Sequence, residues 1–300
     1  MSARRRFGRV AVLMGGPSAE REVSLRSGAA VARGLRAAGI EALEVDVREE
    51  SLDLPPGIEA VFVALHGRFG EDGGVQALLD ARGIPYTGSG AAASRAAMDK
   101  AVTRARLVES GVPVPEGIVL AKPAAAPPLS CPLVVKPLRQ GSSLGCHVVT
   151  RPEDWAGAQA DAWPYDGEVL VERFIEGREL TVGMLGRRAL PVIEIRAPDD
   201  RYDYGAKYTA GRTAYLVPAP IPKAVAREAR RLARRVFAAL GARGFGRVDF
   251  RMDPAGGLFV LELNTIPGFT ETSLLPKAAA EAGIPFPALC ARILTLAACG

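Results

Sequence analysis

The first hundred residues of the chain alternate between apolar strand patterns and amphipathic helix patterns. Strand patterns occupy residues 9–14, 41–47 and 60–67, and helical patterns occupy residues 24–39 and 74–83. Strands that alternate with helices form a parallel sheet with the helices packed on its faces. Such sheets bind ligands at the carboxyl ends of their strands. The pattern therefore predicts a Rossmann-like parallel-sheet domain over residues 1–97.

A different pattern follows, in which a Gly/Ser-rich loop joins two strands. Residues 134–149 read VVKPLRQGSSLGCHVV, and β-branched runs lie on both sides of the loop at residues 139–145. The phosphate loops of P-loop and dinucleotide-binding proteins run from a strand into a helix, so this loop is of neither type. We expect a hairpin in a small central α+β lobe at residues 98–182, followed by a C-terminal α+β lobe at residues 183–300.

Composition narrows the class of protein. The 300 residues are 48% hydrophobic, which is enough to bury a sizeable core. The four cysteines (Cys131, Cys146, Cys290 and Cys299) lack CxxC spacing, so we expect reduced thiols and a cytoplasmic location. The apolar run at residues 10–14 is too short for a signal peptide. No run reaches the ~18–20 apolar residues that span a membrane.

The net charge of +5 does not by itself indicate a nucleic-acid partner. Arginines are densest at residues 226–247, but apolar residues recur there at helical spacing, which is typical of an amphipathic helix with a solvated face. The interleaved aromatic residues of a single-strand binder are missing. Only six of the 38 basic residues are lysines. Lysine suits contacts that need a compact ammonium group, and Lys100, Lys136 and Lys207 lie beside unusual local sequence.

The last predicted strand pair brings two acids together. The strand patterns GRVDFRM and LFVLELN are separated by DPAGG, a turn composition. A loop at residues 254–257 would place Asp249 opposite Glu262 and Arg247 opposite Asn264, all on one face. Facing carboxylates repel each other unless a cation lies between them, and oxygen ligands of this kind suit Mg²⁺. The alternative is a solvated strand face on which Arg247 neutralises one acid.

Acidic residues mark the start of the first predicted helix. The segment GGPSAEREVSLRSG follows the first strand, and Asp46 resembles the ribose-binding acid of a dinucleotide site. A nicotinamide-dependent oxidoreductase is therefore one hypothesis, although the GxGxxG spacing is missing. Glu20 and Glu22 favour a cationic ligand instead, or simply complement the helix dipole. His66 lies on the loop after the third strand, where a ligand contact and a structural hydrogen bond are both open.

Eight motifs together resemble the D-alanine–D-alanine ligases of the ATP-grasp superfamily. In chain order they are GGPSAEREVSL, LHGRFGEDG, MDK, VVKPLRQGSSLG, VERFIEGREL, YDYGAKY, GRVDF and LELNTIPGFTETSL, which together extend over nearly the whole chain. The resemblance implies an ATP-grasp fold, in which nucleotide binds between two α+β lobes under a mobile hairpin loop. It also implies ligation of two D-alanines through an acyl phosphate, for peptidoglycan synthesis.

The resemblance also assigns roles to residues. The implied nucleotide contacts are Lys100, Lys136, Ser143, Glu172, Phe174, Ile175, Glu179 and Lys207. The implied catalytic and D-alanine contacts are Glu20, Ser142, Tyr208, Arg247, Gly268, Ser273 and Leu274, with His66 as a further candidate. The implied metal ligands are Asp249, Glu262 and Asn264, which would hold two Mg²⁺ ions or Mn²⁺ in their place.

Two alternatives stay open at this point. One is another ATP-grasp carboxylate–amine ligase with a different acceptor, and the other is the oxidoreductase. Release of phosphate from ATP that requires D-alanine would separate all three. We further expect a homodimer, no nucleic-acid or membrane partner, and a lid of residues 140–145 and 199–215 that becomes ordered with ATP.

Overall fold

The computed structural model describes residues 7–197 and 213–300, and its N-terminal part contains a parallel sheet. The strand order is β2-β1-β3, with β1 at Arg9–Gly15, β2 at Glu41–Val47 and β3 at Ala60–Val63. The helices of this part are α1 (Arg21–Ala37), α2 (Gly74–Ala81) and α3 (Ala91–Met98). The predicted parallel sheet is confirmed. Its strands β1 and β3 end at the loops that carry Glu20 and His66.

A four-stranded antiparallel sheet forms the central part of the chain. Its order is β4-β7-β5-β6, with β4 at Gly117–Leu120, β5 at Leu133–Pro137, β6 at His147–Val149 and β7 at Val169–Arg173. Helix α4 (Lys100–Glu109) precedes this sheet, and α5 (Trp155–Asp166) packs on it with Trp155 buried in its core. Because β5 pairs directly with β6, residues 138–146 form a hairpin loop, as predicted. We call this segment the hairpin loop below.

The C-terminal part is built on a five-stranded antiparallel sheet of order β10-β9-β8-β11-β12. The strands are β8 (Arg178–Leu185), β9 (Arg188–Arg196), β10 (Ala214–Leu216), β11 (Phe245–Met252) and β12 (Leu258–Asn264). Helix α6 (Lys223–Leu240) buries Leu232, Val236 and Leu240 against this sheet, so the arginine-rich segment is the amphipathic helix that its spacing predicts. The helices α7 (Leu274–Glu281) and α8 (Phe286–Thr295) follow.

The N-terminal and C-terminal parts share one hydrophobic core. This core contains residues of α1 and of α8: Val31, Leu35, Leu289 and Ile293. At its centre, the rings of Phe62, Phe245 and Phe269 have centroids 5.7 to 6.0 Å apart. Aromatic pairs at this separation add to the stability that burial of their area provides. The shared core holds the loops after β1 and β3 against the loop that follows β12.

All four cysteines are free thiols, and burial raises the pKa of Cys290 to about 12. Within residues 7–197 and 213–300, no helix combines the length and the apolar character that crossing a membrane requires.

Candidate active site

A cleft of two adjoining compartments lies between the N-terminal sheet, the central sheet and the C-terminal sheet. Its first compartment has a volume of about 630 Å³ and its second compartment about 460 Å³. Four residues line both compartments: Lys100, Gln140, Gly141 and Glu262. Every candidate site residue within the described part of the chain lines one compartment or the other. Lys207 and Tyr208 lie outside the described residues.

The β11–β12 hairpin carries the candidate metal ligands. Asp249 pairs with Glu262 and Arg247 with Asn264, so the predicted register is confirmed. The predicted loop is wrong, because Asp253 N donates to Gly257 O at 2.9 Å and the turn closes one residue earlier than expected. A bulge at Leu261, between the pairs Phe250–Val260 and Asp249–Glu262, restores the register.

Arg247 neutralises one of the two facing acids. Its Nε donates to Asp249 Oδ1 at 2.8 Å and its Nη2 to Oδ2 at 2.7 Å, which is a bidentate pair. Thr181 Oγ1 donates to the same Oδ1 at 2.6 Å. The Asp249 side chain is 9% exposed, whereas Glu262 lines both compartments. The arginine that the alternative hypothesis requires is therefore present beside Asp249. The Glu262 carboxylate lies where the two compartments of the cleft adjoin.

The hairpin loop crosses the cleft to the start of α1. The Ser142 hydroxyl donates a short hydrogen bond to the Glu20 carboxylate. Ser142 and Ser143 have φ values of 51° and 59°, which are uncommon for residues other than glycine. Backbone strain of this kind concentrates at ligand-binding sites. At Gly145 a Cβ atom would lie 2.7 Å from the ring of Tyr165, so the loop can approach α5 only with glycine there.

A chain of buried hydrogen bonds links His66 to the loop after β12. His66 Nδ1 lies 3.4 Å from Glu71 Oε1, and His66 Nε2 lies 3.1 Å from Ser27 Oγ. Ser27 Oγ also accepts a hydrogen bond from Phe269 N at 3.1 Å. Burial raises the pKa of the Glu71 carboxyl, against the opposing hydrogen bond from His66. His66 is therefore part of a network that fixes the backbone next to Gly268.

The loop after β12 ends at the N-terminus of α7. Ser273 is the N-cap residue, and its Oγ accepts a hydrogen bond from Thr270 N at 3.0 Å. A Cβ atom added to Gly268 would lie 3.6 Å from Ser273 Oγ, so these two residues are neighbours in the first compartment. Helix N-termini attract anions because their first N–H groups have no partner within the helix. Ser273 and the Leu274 N–H are thus suitably placed to bind a carboxylate.

Two half-buried lysines lie beside the hairpin loop. Lys136 Nζ is 2.5 Å from Glu172 Oε2. Burial alone would lower the pKa of Lys136, but the adjacent Glu172 carboxylate outweighs it and the pKa is raised. Lys100 Nζ donates to Gln140 O at 2.6 Å and to Leu138 O at 3.3 Å, and burial lowers its pKa. Both lysine side chains are therefore placed at the base of the loop.

The far wall of the second compartment is apolar with one acidic residue. It contains Phe174 and Ile175, which follow β7, and Glu179 on β8. Arg251 on β11 contacts all three of these residues. An apolar slot with an acid at its edge is suited to a nucleoside, whose base is flat and whose ribose carries hydroxyl groups.

Two family models match this chain. The model described as "D-ala D-ala ligase N-terminus" matches residues 41–89, and the one described as "D-ala D-ala ligase C-terminus" matches residues 121–295. The second match alone extends over more than half of the 300 residues. The chain belongs to the D-alanine–D-alanine ligase family.

Individual members of the ligase family match over nearly their full length. The D-alanine–D-alanine ligase of Paramagnetospirillum magneticum is 50% identical over 294 residues, which are 94% of this chain and 95% of that protein. The D-alanine–D-alanine ligase of Bacillus anthracis, solved as a complex with ATP, has a TM-score of 0.83 at 31% identity and covers 96% and 97% of the two chains. The VanG D-Ala:D-Ser ligase of Enterococcus faecalis has a TM-score of 0.84 at 27% identity, with 97% and 99% covered. The ATP-grasp fold expected from the resemblance is confirmed.

In this ligase, Asp46 does not line the cleft. Arg21 Nη2 donates to its carboxylate at 2.8 Å, and chiefly this hydrogen bond lowers the pKa of Asp46. The residue suggested as a ribose-binding acid therefore belongs to an ion pair between the end of β2 and the start of α1. The acid at the end of β2, which suggested a nicotinamide site, is therefore explained by its ion pair with Arg21.

Three residues of the ligase cleft were missed in the sequence: Ser27, Glu71 and Arg251. Ser27 is fully buried in α1. A polar residue on the apolar face of a predicted helix was the feature of the sequence that could have indicated it. Glu71 stands in the GEDG segment, five residues after His66. Arg251 is buried inside a strand pattern, where an arginine needs partners.

Proposed function

We propose that this chain joins two D-alanines into D-alanyl-D-alanine and converts ATP to ADP and phosphate, for peptidoglycan synthesis. The observation that carries the proposal is that the two compartments of the cleft adjoin each other and share lining residues. The second compartment offers an apolar slot and two lysines for a nucleotide, and the first offers a carboxylate and backbone donors for amino acids. The compartments meet at Lys100, Gln140 and Glu262, where the γ-phosphate of the nucleotide would face a bound carboxylate.

In the first step the carboxylate of one D-alanine is activated. Glu20, fixed by Ser142, binds the ammonium group of this D-alanine. One oxygen of the D-alanine carboxylate attacks the γ-phosphorus, the bond from phosphorus to the β,γ-bridging oxygen breaks, and ADP leaves. Lys100 and Lys136 offset the negative charge on the phosphate oxygens during this transfer. By the family resemblance, Lys207 contacts the same phosphate and Tyr208 is a partner of Glu20.

In the second step the amine of another D-alanine, in its neutral form, attacks the carbonyl carbon of the acyl phosphate. The Arg247 guanidinium and the Gly268 N–H stabilise the tetrahedral oxyanion. Ser273 and the Leu274 N–H hold the carboxylate of the attacking molecule at the N-terminus of α7. Phosphate leaves with the bonding electrons, and the new amide nitrogen loses its extra proton. Acyl phosphates hydrolyse, so a loop that crosses the cleft has to exclude water.

Asp249, Glu262 and Asn264 would hold the Mg²⁺ ions. They provide only oxygen donors, which Mg²⁺ and Mn²⁺ both accept, and the two acids face each other across one ladder. In the described part of the chain, no cluster of three His, Cys, Asp or Glu side chains could hold a metal. Asn264 and the nucleotide phosphates would supply the further oxygen ligands. Bound Mg²⁺ would supply charge stabilisation on the phosphates.

D-Alanine is the proposed second substrate because the chain is 50% identical to the D-alanine–D-alanine ligase of P. magneticum over nearly the full length of both proteins. The boundary expected between residues 97 and 98 lies at the end of α3, but the one expected between residues 182 and 183 lies inside β8, so we place the second boundary at Phe174–Ile175, where the chain leaves the central sheet. A homodimer follows from the family resemblance. The cytoplasm is the proposed location because ATP is available there.

The test is phosphate release from ATP with purified protein and Mg²⁺. We expect release that requires D-alanine, together with D-alanyl-D-alanine detected by mass spectrometry. Omission of D-alanine, and its replacement with L-alanine, serve as controls. Release without D-alanine, or a product formed only with another amine, would refute the assignment of the substrate but not that of the fold.

A further inference from the structure

We propose that Arg251 is a positioning residue for the nucleotide. It fixes the backbone of Phe174–Ile175 and holds Glu179 in the wall of the second compartment. This inference rests on the proposed function, because it takes the second compartment as the site where ATP binds. It concerns the adenosine part of ATP, not its phosphates or the D-alanines.

Arg251 is a buried charge inside the sheet. It lies on β11, two residues beyond Asp249, and period-2 alternation places both side chains on the same face. Its side chain is 9% exposed and lines the second compartment. A buried guanidinium is costly unless its donors and its charge are matched. The groups that match the donors and the charge of Arg251 therefore indicate its role.

One guanidinium contacts three groups of the slot. Its Nε donates to the Ile175 carbonyl oxygen at 3.0 Å. Its carbon Cζ lies 5.3 Å from the centroid of the Phe174 ring, which is cation–π geometry. Its Nη1 lies 3.7 Å from Glu179 Oε2, and Glu179 is its direct partner in the β8–β11 ladder.

The segment that Arg251 contacts is the link between the two lobes. The N–H groups of Arg173 and Phe174 donate to carbonyls of the central lobe at 2.8 and 3.1 Å. The next carbonyl, that of Ile175, instead accepts from Arg251 on the C-terminal sheet. Gly177 has a φ of 124°, and a Cβ there would lie 2.2 Å from a backbone oxygen of β11. The chain therefore passes from one lobe to the other at Phe174–Ile175, and Arg251 is the side chain that fixes this passage to the C-terminal sheet.

Loss of these contacts should weaken binding of adenosine selectively. Without Arg251, the Ile175 carbonyl loses its donor and the Phe174 ring loses the cation beneath it. Glu179 loses the positive charge opposite it. A base and a ribose bound against these groups would meet a less ordered wall, whereas Lys100, Lys136 and the first compartment keep their own partners.

The test is steady-state kinetics of Arg251→Met, in which a side chain of similar length lacks the charge and the donors. We expect the KM for ATP to rise about tenfold. We expect kcat at saturating ATP and the KM for D-alanine to stay within about twofold to threefold. Arg251→Lys keeps the charge and one donor, so it should restore most of the affinity. The control is Arg178→Met, because Arg178 pairs with Glu194 at 2.5 Å outside the second compartment.

Several outcomes would overturn the proposal. One is a folded Arg251→Met protein whose KM for ATP lies within about twofold of that of Arg178→Met. Another is an increase in KM for D-alanine equal to that for ATP. If Arg251→Met does not fold, Arg251→Gln, which keeps a donor but lacks the charge, takes its place, and a KM for ATP within about twofold of that of Arg178→Met refutes the role. If the unaltered protein forms no dipeptide, the proposed function fails. The role of Arg251 is then still tested by calorimetry, which compares the ATP affinity of the unaltered protein with that of Arg251→Met.

Discussion

Substitution of Ser27 with alanine tests whether the hydrogen-bond chain from Glu71 to Phe269 supports catalysis. Ser27 Oγ lies 3.1 Å from both His66 Nε2 and Phe269 N, and all three residues are at most 3% exposed. The alanine leaves a buried N–H and a buried imidazole nitrogen without this partner. A buried polar group that loses its partner costs about 1–3 kcal/mol. The loop that carries Gly268 can recover part of this cost by shifting toward other partners.

A shift of that loop should appear in kcat. Gly268 is proposed to donate to the oxyanion, and a misplacement of about 1 Å can cost on the order of 100-fold in rate. We therefore expect Ser27→Ala to lower kcat about 10- to 100-fold, with the KM for ATP within about twofold. The assay is phosphate release at saturating ATP and D-alanine, alongside denaturant unfolding.

Ser24→Ala is the matched control for this substitution. Ser24 is a fully buried serine of the same helix, and its Oγ donates to Ala64 O at 2.7 Å. Both variants should lose about 1–3 kcal/mol of unfolding free energy, but only Ser27→Ala should lose catalytic rate. A kcat for Ser27→Ala within twofold of that for Ser24→Ala would show that the chain of hydrogen bonds is only structural.

Four further predictions concern the metal, the acceptor, pH and the lid. Glu262→Gln should raise the Mg²⁺ concentration needed for half-maximal rate at least about tenfold, since a charged ligand is lost; an unchanged Mg²⁺ titration would contradict the metal assignment. Tyr208→Phe should form more D-alanyl-D-lactate than the unaltered protein when both acceptors are present, and mainly D-alanyl-D-lactate from the unaltered protein would refute the acceptor assignment. Burial alone would raise the pKa of Glu194, but hydrogen bonds from Arg178 and Arg196 outweigh burial and the pKa is lowered. The ionised Glu194 therefore stabilises the fold fully above its unfolded pKa of about 4.3. This stabilisation is lost as the pH falls through the lower pKa of the folded state. Glu194→Gln should therefore unfold more easily at pH 7 and differ less from the unaltered protein near pH 3.5, and a difference independent of pH would contradict this reasoning. Hydrogen exchange at residues 140–145 and 199–215 should slow with ATP, and equal exchange in both states would count against a lid.

Local sequence patterns correctly predicted which side chains share a face of β11 and β12, but they did not predict the length of the turn between the two strands. Period-2 alternation requires Asp249 and Arg247 to share a face, and this holds wherever the strand is regular. The turn depends on how DPAGG closes, and composition does not distinguish the observed closure at Asp253 and Gly257 from one at the next residue. The bulge at Leu261 compensated for that error, so the predicted pairs of side chains were correct for a partly wrong reason.

Residues whose role depends on distant partners could not be predicted. Ser27 contacts Phe269 across 242 positions of the chain, and no local pattern specifies such a contact. Arg251 looks like any polar residue in a half-buried strand until Ile175 and Glu179 are placed beside it. The motifs identified the residues proposed to touch ligands, whereas the residues that hold them in position became visible only in three dimensions.

The core shared by α1 and α8 has a consequence for synthesis of the chain on the ribosome. Val31 and Leu35 of α1 pack against Leu289 and Ile293, which are translated roughly 250 residues later. At about 5–20 residues per second, the part of the apolar face of α1 that packs on α8 waits about 12–50 s for its partner helix. During that interval this face is exposed to chaperones and to neighbouring nascent chains. The N-terminal domain can therefore complete its core only after Leu289 and Ile293 have emerged from the ribosome.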